Sequence, residues 1–200
     1  MKTFSILKNV KILGIDPSTR SLAWALCTLG GGGAVSLGLY GKIELPHKQG
    51  MEPKINAVVS SLPGVIEAVE PDFVYIEQTV YIQNYQTSRD LSYVVGASMA
   101  TSALSGVSVC EASPLVWKVG IGYKKVMKAD IARWTAETSE KEAKKRAAFE
   151  RKNRVREILV DRFSDDLLDT DQYDHDIIDA IGIALWGCQK QDDKNHEGLE

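Results

Sequence analysis

The stretch Lys11-Ile12-Leu13-Gly14-Ile15-Asp16-Pro17-Ser18 limits what this chain can become more than any other. An apolar run of strand character rises to one aspartate, and Pro17 and Ser18 then turn the chain away. At the end of a buried strand the Asp16 carboxylate loses hydration and needs a cation, a hydrogen-bond network or a metal. Alone, a strand-end aspartate is as well read as a cap or a salt-bridge partner as it is a ligand. The deciding question is whether other carboxylates converge on it.

The chain has 200 residues, enough for one good core and short for two, so the expectation is a single domain over 1–190 with a polar tail at 191–200. Its 44% apolar and 26% charged residues are those of an ordinary soluble globular domain. No stretch approaches the ~20 apolar residues of a membrane span. The N-terminus lacks the apolar core and cleavage site of a signal peptide. Cys27, Cys110 and Cys188 are isolated in apolar surroundings, which reads as reduced thiols in a cytoplasmic protein. The net charge of −3 averages over strongly segregated regions, and the segregation carries the information.

Residues 10–16, 22–27 and 35–45 read as three strands, with the glycines 30–33 as a hairpin turn. No Gly-Lys-Ser/Thr follows those glycines, which disfavours a phosphate loop. Residues 54–70 carry a one-sided apolar helical stripe that Pro63 is expected to kink or split. Phe73–Glu77 is a fourth strand, again delivering one carboxylate. A helix rich in small residues follows over about 87–104, then a fifth strand at 107–111. From Lys128 to Phe163 the pattern is helical and strongly charged, with a capping box at Ser139 and Glu142 dividing two helices. The acidic residues 165–171 read as a solvated loop. The last helix, Ile177–Cys188, is apolar nearly all round. The order β-β-β-α-β-α-β-α predicts an α/β fold: a mixed five-stranded sheet of ribonuclease H-like architecture, helices on both faces, and an extra charged helical insertion near 128–163.

In that order Asp16 ends the first strand and Glu77 the fourth, while Asp176 and Asp179 share one face of the last helix. Four carboxylates driven into apolar surroundings repel one another unless a cation is present. Hard divalent ions suit such oxygen donors, so the expected guests are two Mg²⁺ ions, with Mn²⁺ able to substitute. A pair of such ions is suited to phosphodiester hydrolysis.

With these residues in place the chain resembles the RuvC family of Holliday junction resolvases. The resemblance rests on Ile12-Leu13-Gly14-Ile15-Asp16-Pro17, Ile76-Glu77-Gln78 and Asp176-Ile177-Ile178-Asp179-Ala180. Asn84 and Gly96 fall at the family's spacing after the glutamate, and Gly120-Ile121-Gly122 followed by Lys128 looks like its glycine loop and basic residue. The resemblance implies a homodimeric, Mg²⁺-dependent endonuclease that nicks a four-way DNA junction symmetrically. Asp16, Glu77, Asp176 and Asp179 carry over as metal-binding catalytic residues, and Lys128 as a basic residue near the scissile phosphate. Two departures stand out. Ser18 occupies a usual glycine position, and Val80 occupies that of an aromatic, which makes Tyr81 the candidate for stacking in the junction, with Tyr85 beyond. The long basic insertion suggests a divergent, phage-encoded member. Asp174 could replace Asp176 as a ligand only if the helix began differently.

Lys118, Lys124, Lys125 and Lys128, with Arg89, could line a path for phosphates beside the carboxylates. The basic helix 141–156 could extend that path onto a junction arm, or be a solvated charged face. Three alternatives remain on sequence. One is another ribonuclease H-fold nuclease acting on hybrids, flaps or other branched DNA. A second is an actin-like ATPase, disfavoured because the second domain and second phosphate motif are missing, so no nucleotide cofactor is expected. The third is a junction binder that no longer cuts, disfavoured because all four carboxylates are present.

Overall fold

A computed structural model describes residues 9–79, 84–163 and 174–197. Five strands, β1 (Val10–Pro17), β2 (Ser21–Leu29), β3 (Val35–Glu44), β4 (Phe73–Glu77) and β5 (Ser108–Ala112), form one sheet in the order β3-β2-β1-β4-β5. β1–β2 and β2–β3 pair antiparallel, whereas β1–β4 and β4–β5 pair parallel. This is the mixed sheet expected from the element order.

Period-two alternation assigns each face. Leu13, Ile15, Leu22, Val74 and Ile76 pack against α1 (Met51–Val69) and α2 (Tyr85–Leu104). Ile12, Ala23, Ala25, Cys27 and Tyr75 face the last helix and its neighbours. α1 runs unbroken through Pro63, because Val58, Leu62, Ile66 and Val69 anchor it to the sheet on both sides of the proline. Buried packing here outweighs one missing N–H donor.

Beyond β5 a short helix, α3 (Pro114–Gly120), stands where the sequence reading assigned no element. α4 (Lys128–Glu137) and α5 (Glu140–Phe163) form the charged insertion, divided where Ser139 and Glu142 cap each other. α6 (His175–Glu197) begins two residues earlier than expected and continues through polar residues as far as Glu197, past the expected end at Cys188. Among the described residues no helix is long and apolar enough to cross a membrane.

One contact sets the layout. A Cβ placed on Gly14 would lie 2.3 Å from the Ala180 carbonyl and 2.5 Å from the Ala184 amide, so α6 rests directly on the β1 backbone. Ala180, Ala184 and Gly187 form the small-residue stripe that permits this, with Gly187 lying against Ile12. Asp176, about one turn before Ala180, and Asp179, the residue next to Ala180, therefore arrive near Asp16.

Candidate active site

Cross-strand register builds the site. Asp16 pairs with Ala23, and Ala23 with Lys42, while Ile15↔Ile76 sets Glu77 next to Asp16 on the neighbouring strand. One row across the sheet thus holds Lys42, Ala23, Asp16 and Glu77, all on the α6 face. The Asp16 and Glu77 carboxyls lie side by side, each close enough to shift the other's protonation.

Electrostatics mark this cluster as under-compensated. Burial, followed by the charges of Glu77, Asp179 and Asp176, pushes the Asp16 carboxyl well above the usual carboxylate range. Burial also raises Glu77 and then Asp179, although hydrogen bonding from Trp117 opposes the first and the Lys118 ammonium opposes the second. Burial alone would lower Lys118, but Asp179, Glu77 and Asp16 together hold its proton more firmly than usual. Shifts of this sign and density are characteristic of functional carboxylates.

Two helices and a turn fix the individual groups. Trp117 on α3 is fully buried, and its indole Nε1–H donates to Glu77 Oε1 at 2.8 Å. The next residue, Lys118, reaches Asp179 Oδ2 at 2.9 Å. Glycines accommodate both partners of the helix pair: the Trp117 ring fills the space over Gly182, and the Trp186 ring that over Gly120. On the other side Ser21 Oγ donates to Asp176 Oδ2 at 3.1 Å, and Lys42 Nζ lies 3.3 Å from the same oxygen and 2.8 Å from Asp174 Oδ2. Ser18 closes the turn behind Asp16, accepting from the Ser21 amide at 2.9 Å and donating to the Ser21 carbonyl. Ser18 therefore sets the residue that holds Asp176.

The oxygen donors fit hard divalent cations. They are four carboxyls at the C-terminal ends of β1 and β4 and the start of α6, and burial first, then the charges of its neighbours, raises the protonation range of Asp16. Among the described residues, no three acidic, histidine or cysteine side chains form a ready-made cation position; Lys118 pairs with Asp179, and Lys42 with Asp174 and Asp176.

The profile of crossover junction endodeoxyribonuclease RuvC matches residues 12–137. The chain belongs to the RuvC family. It is 28% identical over 123 residues to the RuvC of Syntrophomonas wolfei, covering 61% of this chain and 71% of that one. With the Rhodopseudomonas palustris RuvC it shares 32% over 114 residues, 56% of this chain and 65% of the relative. Its fold is that of T. thermophilus RuvC in complex with a Holliday junction, with TM-score 0.67, 14% identity, and 91% and 96% of the two chains covered. The yeast mitochondrial Holliday junction resolvase gives 0.57 at 14% identity, covering 96% and 85%. The RuvC profile ends at residue 137, before α5, Asp176 and Asp179.

The remaining sequence candidates lie in several places. Lys124, Lys125 and Lys128 are exposed on the loop and first turn leading into α4, and the ammonium groups meeting the carboxylates are those of Lys118 and Lys42. Tyr85 is 77% exposed at the start of α2, and Arg89 pairs with Asp90. Tyr81 lies outside the described residues, as does the acidic stretch 165–171. Lys42, Ser21 and Trp117 are site residues that sequence reasoning missed. Lys42 alone had a signal, since aligning β1, β2 and β3 in register puts it in the Asp16 row.

Proposed function

We propose that this chain resolves four-way (Holliday) DNA junctions as a homodimeric, Mg²⁺-dependent endonuclease, acting through one nuclease domain in the cytoplasm. The observation that carries the reading is that the carboxyls of Asp16, Glu77, Asp176 and Asp179, from three separate elements of a RuvC-family chain, lie near enough for the other three to raise Asp16.

In this reading those four residues hold two divalent ions. When bound, such ions supply Lewis-acid charge stabilisation and a water of lowered pKa for in-line phosphodiester hydrolysis, with Mn²⁺ able to replace Mg²⁺. The chain's own groups do the positioning. Trp117 occupies one Glu77 oxygen and so fixes the carboxyl on the strand beside Asp16. Ser21 and Lys42 hold Asp176 by Oδ2. Lys118, paired with Asp179 beside the other carboxyls, would be placed to meet the scissile phosphate. Lys124, Lys125, Lys128 and Arg89 contact the backbone on either side, and Tyr81 or Tyr85 stacks at the branch point. The exposed face of α2, where Gly96 has open space above it and Tyr93 is uncovered, is the dimer surface.

The test compares a synthetic four-way junction with an RNA–DNA hybrid and a flap under a Mg²⁺ and Mn²⁺ series. Paired, symmetric nicks in the junction support the reading, and preferential cleavage of hybrid or flap overturns it.

A further inference from the structure

We propose that the N-terminal half of α5 is a second DNA-backbone surface, gripping the duplex arm that leaves the catalytic site. The inference rests on the junction reading above and concerns a helix outside the matched family region. Between Glu140 and Arg154 the sequence places seven lysines and arginines against three glutamates. The glutamates are engaged locally: Glu140 with Lys144, Glu142 with Ser139, and Glu150 with Arg146 and Arg154. Lys141, Lys145 and Arg151 are exposed cations left over from that pairing.

Helix geometry shows which way they look. In the first half of α5, Ala143 and Ala147 are buried against Trp134 of α4 in a small core of their own. In the second half, Val155 and Leu159 are buried in the main core against α6. At about 100° per residue these two buried faces differ by roughly 120°. Lys141 stands about five turns upstream of Leu159 on the same line, and Lys145 holds the same relation to Phe163, which packs on that core. Arg151 lies one turn before Val155. The cations therefore occupy the continuation of the face by which α5 docks on the domain, and not the face turned away from it. A merely solvated helix has no reason to place its spare charge on that side. Here the docking face becomes a cationic ledge where the domain body ends.

The ledge is tied to the site-proximal loop. An Arg154 guanidinium nitrogen donates to the Lys124 carbonyl, which fixes α5 to the segment that joins α3, bearing Lys118, to α4. Phe149, 63% exposed on the flank of the ledge, offers an apolar contact for a sugar edge. Contacts of this type recognise phosphate spacing and not sequence.

The experiment replaces Lys141, Lys145 and Arg151 together by Ala, which keeps or raises helix propensity and so leaves the fold intact. Affinity for a labelled four-way junction is read by fluorescence anisotropy without divalent ions over a salt series. Losing three phosphate contacts should weaken binding roughly ten- to a hundred-fold at 0.1 M salt and flatten the log–log salt slope by about 2.7. Lys145→Ala alone should flatten it by about 0.9. Lys190→Gln, at the far end of α6, should change neither. Wild-type affinity and slope in the triple variant would overturn the inference while leaving the resolvase reading standing. Failure of the wild-type chain to bind or cut the junction would instead overturn the resolvase reading.

Discussion

Replacing Gly14 by Ala tests how the active site is assembled. The added Cβ would sit 2.3 Å from the Ala180 oxygen and 2.5 Å from the Ala184 nitrogen, where ordinary contact begins at 3.4 Å. Both opposing atoms are backbone, so no side-chain rotation relieves the overlap. α6 must lift from β1 by about 1 Å. Overpacking of this kind typically costs about 1–3 kcal/mol, and rigid backbone on both sides puts Gly14→Ala near the upper end. For a domain of this size about 3 kcal/mol lowers Tm by roughly 6–12 °C. The displacement also separates Asp16, two residues along the same strand face, from Asp179 on the lifted helix. A misplacement of about 1 Å can cost on the order of 100-fold in rate. The assay is junction cleavage at saturating metal, well below the variant's Tm, with melting followed by circular dichroism. A variant that melts within a degree or two of wild type and cuts at the wild-type rate would refute the direct helix-on-strand contact as the basis of the site.

Three further outcomes follow from the same geometry. Trp117→Phe keeps a buried ring but removes the donor to Glu77, so Mn²⁺ affinity measured by electron paramagnetic resonance should fall about 10–100-fold; unchanged affinity would remove Trp117 from its positioning role. The raised carboxyls of Asp16, Glu77 and Asp179 mean that the folded metal-free chain binds protons more tightly than the unfolded one. Its stability should therefore fall as pH rises above the ordinary carboxylate range, and Mg²⁺ should raise Tm more at pH 8 than at pH 5; an equal or larger gain at pH 5 contradicts the assigned shifts. Gly96→Arg, placed in open space on α2, should leave Tm nearly unchanged yet convert a dimer to a monomer by light scattering at micromolar concentration, and a monomeric wild type would count against the α2 interface.

Much of this was legible because the strong signals are local. Phe73–Glu77 is a short apolar run ending in a carboxylate, and its strand matches the expected bounds. Asp176 and Asp179 share a face by helical spacing alone. The Ser139–Glu142 capping box likewise needs only four consecutive residues. What escaped is long-range. Trp117 reads as an ordinary core aromatic until α3 folds it 40 residues back onto Glu77. Lys42 meets Asp174 across 132 residues, and Ser21 meets Asp176 across 155. That α1 is not split at Pro63 has a related reason, since the tertiary anchors on either side of a local breaker are long-range. The C-terminal extension of α6 went unread because its last turns are polar and carry no apolar stripe.

The central claim is that the four carboxyls bind the ions that cut DNA while other groups bind the DNA. Asp179→Asn probes it most directly: same shape, one charge fewer, and a surviving hydrogen-bond acceptor for Lys118. Cleavage and junction affinity are measured on the same preparation with Mg²⁺ and then Mn²⁺. Abolished nicking with junction binding within a few-fold of wild type is the predicted result. A variant that still nicks at the wild-type rate in Mg²⁺ would contradict the assignment.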